Sequence, residues 1–159
     1  MRELEECINL SAWLGCSVDQ AFKMFINKEH IQSWLPMITD VIPGLDGKFE
    51  ITTDKSRSRK DSVQCKIFAY ELNKYLAFEW IGPDEISTKN DSNLKIRVTV
   101  YFLPINMCPK KKIQYTELNF VLTCCYEPEG VETMKTWFEN TWTNAFENLI
   151  VHVNEVFNN

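Results

Sequence analysis

Glycine and proline are scarce, at five and six of 159 residues. A chain so poor in both is neither a low-complexity linker nor a collagen-like fibre, and no repeat of fixed period runs along it. Histidine is scarcer still, with His30 and His152 alone. They form no His-x-x-x-His or His-Glu-x-x-His pattern, so nothing in the spacing marks a metal centre. Also missing are a Cys-x-x-Cys pair, a Gly-x-Ser-x-Gly elbow, a phosphate-cradling glycine loop and a dinucleotide fingerprint. No cofactor is expected. No apolar run approaches the roughly 18 residues that a membrane span requires. An excess of basic charge is absent too: 17 Lys and Arg face 22 Asp and Glu, a formal charge of −5. Nucleic-acid affinity rests on neutralising phosphates, so no nucleic-acid partner is expected. Residues Met1 to Glu6 are acidic and lack a long apolar stretch. They read as neither signal nor transit peptide, and the expected location is cytoplasmic.

What is present is ordinary in amount and uneven in kind. Apolar residues make up 45% and aromatics 13%, so a core or pocket must accommodate many large rings. The length suits one domain, taken as residues 1–159, with a single core. Six cysteines (Cys7, Cys16, Cys65, Cys108, Cys124 and Cys125) are scattered along the chain. Cys124 and Cys125 are adjacent and would point to opposite faces of a strand. All six are expected as free thiols acting as small apolar fillers. Two basic clusters, Lys55 to Lys60 and Lys110 to Lys112, lie between alternating runs and read as loop tips. Solvation explains such runs in most proteins, with an anionic partner as the alternative.

Ile8, Leu10, Ala12 and Leu14 alternate with polar or exposed-type residues, which predicts a first strand ending at Gly15. Ser17 followed three residues later by Gln20 is a capping box. Ala21, Phe22, Phe25 and Ile26 continue it with helical period. Glu29 to Leu35 predicts a second short helix, stopped by Pro36. Pro43 to Gly47 is a turn by composition. Five further runs then alternate with period two: Phe49 to Thr53, Val63 to Ala69, Leu76 to Trp80, Ile96 to Phe102 and Leu118 to Cys124. Asn73-Lys74 is a turn between two of them.

From Val131 to about Phe157 the period becomes helical. Val131, Phe138, Trp142, Ala145, Leu149, Val153 and Val156 share one stripe at 100° per residue. A helix of that length spans on the order of 40 Å. Strands joined without intervening helices form an antiparallel sheet, apolar on one face. The long helix must cover that face. The expected class is therefore α+β: a curved antiparallel sheet wrapped around a long C-terminal helix, with two short helices after the first strand. Such an arrangement leaves room for a cavity between the layers.

Four stretches carry a family resemblance. They are Ser17 to Phe22 followed by Glu29, Ile31 and Trp34; Pro43-Gly44 with Gly47-Lys48-Phe49; Leu76-Ala77-Phe78-Glu79-Trp80; and Trp142 with Phe146 and Leu149. In order and spacing the chain resembles the START-like helix-grip (SRPBCC) superfamily. Within it, the chain is most similar to homologues of the C-terminal domain of the heat shock protein 90 ATPase activator. One departure is Thr141, where the group usually has Gly before the last-helix Trp. The resemblance implies a cavity for lipids, hormones or polyketides, with some members acting as cyclases or dehydratases. It also implies a stress- or chaperone-related alternative. The activator's N-terminal domain has no counterpart in it, so little stimulation of that ATPase by this chain alone is expected.

The residues themselves offer little for catalysis, and no catalytic or metal-ligating residue is assigned. His30 lies beside Glu29. His152 flanks the apolar stripe, where water or a backbone group would satisfy it, with a pocket-facing role as the alternative. Cys65 or Cys124 paired with His152 would make a nucleophile, but no spacing brings them together. The aromatic load on the inward face is the strongest signal. Phe22, Trp34, Phe78, Trp80, Phe120, Phe138, Trp142, Ala145 and Phe146 are the expected cavity wall, with Ala145 too small to fill the space at its centre. Trp137 falls off the stripe and would be part-exposed or meet a partner. The expected function is binding of a small apolar or amphipathic molecule. Alternatives are a cyclase-like enzyme in the same cavity, or a surface that meets a chaperone or a second copy of the chain.

Overall fold

The computed structural model describes residues 4–35, 38–44, 46–52, 62–80, 96–105, 114–125 and 131–157. The elements in order are β1 (Leu4–Leu14), α1 (Val18–Ile26), α2 (Lys28–Trp34), β2 (Ile38–Ile42), β3 (Lys48–Thr52), β4 (Ser62–Glu71), β5 (Tyr75–Trp80), β6 (Ile96–Ile105), β7 (Tyr115–Cys125) and α3 (Val131–Phe157). The strands form one seven-stranded sheet in the order β1-β7-β6-β5-β4-β3-β2. Every pairing is antiparallel. The expected class holds: a curved antiparallel sheet, two short helices after the first strand, and a long C-terminal helix. Both basic loop clusters and Cys108 lie outside the described residues, as do the side chains of Cys7, Cys124 and Cys125.

The curvature has a local cause. Register shifts interrupt β1 between Glu6 and Ile8, β2 between Ile38 and Asp40, and β4 between Ile67 and Ala69. An extra residue in one strand bends it and raises its twist. Period-two alternation then places one residue of each strand in shared rows on the concave face. One row runs Leu10, Phe120, Val100, Leu76, and its neighbour runs Ile8, Leu122, Val98, Phe78, Ile67. These residues are buried, apart from the half-buried Leu10, and belong to a single apolar cluster with α1, α2 and α3.

The capping box at α1 forms as the sequence implies. The Gln20 amide donates to the Ser17 hydroxyl, and the Gln20 side chain accepts from the Ser17 amide at 3.0 Å. Asn27 joins the two short helices. Its amide donates to the Lys23 carbonyl, ending α1, and its side chain accepts from the His30 amide at 3.2 Å, starting α2. One residue thus caps both helices and fixes the angle between them.

Three expectations need correction. A strand, β2, occupies Ile38–Ile42, where no strand was expected. The bulge at Ile38/Asp40 breaks its alternation, so period two is not visible in five residues. Its hairpin with β3 depends on glycine. Gly44 has φ +104°, and a Cβ at Gly47 would stand 2.0 Å from the Ile42 carbonyl oxygen. Second, α2 spans Lys28–Trp34, one residue earlier than expected, because Asn27 is its cap. Third, Val156 is 42% exposed although it continues the α3 stripe. Burial along the stripe ends at Val153, and in the last turn Phe157 rather than Val156 packs on the core.

Candidate functional site

The concave face and the three helices enclose the rings expected to form a site. Phe22, Trp34, Phe78, Phe120, Phe138, Trp142, Ala145 and Phe146 are all buried. The side chains of Trp80 and Trp137 lie outside the described residues. Ring contacts link many of these residues within the one apolar cluster. Phe120 sits 4.6 Å from Trp142 and 5.7 Å from Phe146, ring centre to ring centre. Trp142 faces Trp34 at 6.5 Å, and Trp34 faces Phe25 at 4.8 Å. Phe102 then links Phe25 and Phe22, at 5.2 and 5.1 Å. Phe78 packs against Phe49 at 5.1 Å. Phe25, Phe49 and Phe102 were not in the expected wall. Phe25 is three residues from Phe22 on the buried face of α1, and that spacing is the signal that could have included it.

Trp34 is fixed by more than packing. Its indole N–H donates to the Met24 carbonyl at 2.9 Å in a fully buried setting. Met24 lies in the last turn of α1, where carbonyls lack a donor from their own helix. The indole therefore caps α1 from α2 and ties both to the ring cluster. A similar tie lies just past the C-terminal end of β1. Thr116 is the buried polar residue among those described, and its hydroxyl donates to the Cys16 carbonyl at 2.9 Å.

Among the described residues the backbone of α3 approaches β1 and α2 closely. On β3 to β5 the concave residues Phe49, Cys65, Ile67, Leu76 and Phe78 are buried, so side chains already fill that part of the interlayer space. A separate cleft of about 480 Å³ lies at the end of the sheet, between Ser17, Asp19, Asn73, Pro104 and Tyr115. It opens outside the layer interface, and Ser17 and Asp19 within it are engaged in capping α1.

The titratable groups are few. The Cys16 thiol is pushed up to about 12, chiefly by burial and secondarily by the Asp19 charge. Cys16 and Cys65 are buried and not joined in disulfides, matching the expectation for those two thiols. The Asp19 carboxyl is held below its ordinary value, first by the Ser17 hydroxyl. His152 flanks the apolar stripe as expected, and its Nε2 lies 3.1 Å from Nδ1 of His30, a neighbour that the sequence did not indicate. Burial, then His30, holds the His152 imidazole below its ordinary value, with Glu155 opposing.

No protein-family model matches this chain, and no curated protein matches it in sequence. Solved structures do match in fold. Protein MLL2253 from Mesorhizobium loti superposes with a TM-score of 0.66 at 16% identity, covering 93% of this chain and 98% of the other. Truncated norcoclaurine synthase from Thalictrum flavum gives 0.67 at 12% identity, covering 99% and 96%. The same enzyme in complex with dopamine and hydroxybenzaldehyde gives 0.61 at 12%, covering 94% and 88%. Similarity at this level of identity establishes a shared START-like helix-grip fold and leaves function to the site.

Proposed function

We propose that this chain, folded as one domain, binds a small apolar or amphipathic molecule bearing a flat ring or acyl group, between α3 and the concave face of the sheet. The observation that carries this reading is the burial of large rings from sheet and helix around one small residue in the middle of α3. The rings of Phe78, Phe120, Phe138, Trp142 and Phe146, around the small Ala145, provide walls for a flat guest. The fold is shared with norcoclaurine synthase, a protein whose complex holds two small aromatic molecules. No sequence kinship to that enzyme supports its chemistry here. A cyclase-like reaction would need polar groups facing inward. Among the described residues the buried Thr116 hydroxyl is already given to the Cys16 carbonyl, and the buried indoles of Trp34 and Trp142 bring N–H donors but neither an acid nor a base.

A second reading rests on the outer face. Trp13 is 47% and Leu103 42% exposed, and they flank Glu117 in register across β1, β7 and β6, with Tyr101 beside them. An exposed aromatic cluster of this kind favours a protein contact. It is where a chaperone-related role of the heat shock protein 90 activator type, or self-association, would reside.

The deciding experiment combines Ala145→Phe with titration of an environment-sensitive apolar dye. In open space the added ring fits at small cost and displaces dye that the wild type binds. If the variant loses more than the ~1–3 kcal/mol typical of overpacking a solid core, and the wild type binds no dye, the interlayer space is packed core. The outer face would then carry the function.

A further inference from the structure

The two histidines of the chain meet where α2 crosses α3. They are 122 positions apart in sequence, yet Nδ1 of His30 stands 3.1 Å from Nε2 of His152, with the ring planes inclined by 60°. Each is held by its own helix. His30 sits in the first turn of α2, whose start is pinned by the Asn27 cap. His152 stands between the buried Leu149 and Val153 on α3. The convergence therefore follows from two anchored backbones and not from two free side chains reaching for each other.

The separation matches a chelate. Imidazole nitrogens bind late first-row divalent ions at about 2.0–2.1 Å, so two of them subtending about 100° at one ion lie about 3.1 Å apart. We propose that His30 Nδ1 and His152 Nε2 form a two-histidine chelate for a nickel, copper or zinc ion. Imidazole suits these ions, whereas Mg²⁺ and Ca²⁺ prefer oxygen ligands. Without the metal, one ring must donate its N–H to the other, and both nitrogens share a single proton. The ion takes the place of that proton, which passes through solvent to the far nitrogen of the donor ring, so that both rings stay neutral with their hydrogens on the far nitrogens. Burial already favours the neutral form of His152, which is the form a ligand must adopt. No third His, Cys, Asp or Glu completes a cluster among the described residues. Water fills the remaining positions, with Glu155 the carboxylate that acts on His152. The site is a two-point clamp open to solvent rather than a closed structural centre. Its effect is to lock α2 onto α3, two of the elements that enclose the ring cluster.

Ni²⁺ alone is a suitable probe, being paramagnetic and inert as an oxidant toward the six thiols. The imidazole NMR signals of the folded wild type are two and are assigned with His30→Gln and His152→Gln. Ni²⁺ is expected to broaden both together, and Mg²⁺ neither. In thermal unfolding, Ni²⁺ at about a hundred times its Kd is expected to raise Tm by roughly 5–10 °C. Each single variant should abolish that rise. Broadening of only one ring, no broadening at millimolar Ni²⁺, or a rise in Tm that survives in either variant would each overturn the assignment, the last by pointing to thiol ligands. The NMR reading is taken on the wild-type protein and does not depend on how stably the variants fold.

Discussion

Replacing Trp34 by Phe isolates one hydrogen bond inside the ring cluster. The phenyl ring retains most of the contact with Phe25 and Trp142 but cannot donate to the Met24 carbonyl. That carbonyl lies in the last turn of α1, and the site is closed to water, with Trp34 at 0% exposure. An acceptor left unpaired in such a place costs about 1–3 kcal/mol. Removing roughly 40 Å³ of ring adds about 1 kcal/mol at ~24 cal/mol per Å³ of residual cavity. The expected loss is about 2–4 kcal/mol. With a urea slope of about 2 kcal/mol/M, the unfolding midpoint falls by about 1–2 M. Far-UV circular dichroism is the right probe, since the substitution itself alters tryptophan emission. Hydrogen exchange supplies the spatial check: amides at the end of α1 and the start of α2 should lose protection before those of β7. A midpoint within about 0.3 M of wild type, with exchange unchanged at the α1–α2 joint, would refute the capping role of the indole.

Other perturbations test separate parts of the structure. Thr116→Val preserves shape and removes the donor to the Cys16 carbonyl, so a loss of about 1–3 kcal/mol is expected in chemical denaturation. Ser17→Ala removes the capping hydroxyl of α1 and should cost about 1 kcal/mol near neutral pH. Its pH dependence is also set. Asp19 has a folded-state pKa below its ordinary 3.8, mainly through the Ser17 hydroxyl. A depressed carboxylate pKa stabilises the fold above the unfolded value, and that contribution is lost as pH falls through the folded value. The gap between wild type and Ser17→Ala should therefore narrow below about pH 3.8, measured by urea midpoints across an acid series. Cys16, with its thiol raised to about 12 by burial, should resist an aromatic disulfide reagent at pH 8 in the native protein. In denaturant without reductant all six thiols should titrate, and a count of four or fewer would contradict the free-thiol reading.

Local chemistry was enough to read most of the elements. The Ser17–Gln20 capping box, the Asn73 turn and the alternating runs of β1 and β4 to β7 are interactions among residues two to four apart, and such interactions are written in order along the chain. The inward positions followed from period two on the strands and the helical period elsewhere, which is why Phe22, Phe78, Phe120, Phe138 and Trp142 are buried where periodicity placed them. Strand β2 escaped because its bulge removes the very pattern that marks a strand. What the tertiary structure alone decided depends on how distant segments meet. The pairing of β1 with β7 joins residues more than a hundred positions apart, and no local pattern encodes it. The meeting of His30 with His152 follows from the packing of α2 on α3, where Trp34 faces Trp142. Periodicity assigns a side chain to a face, but only the packing of whole elements assigns it a neighbour.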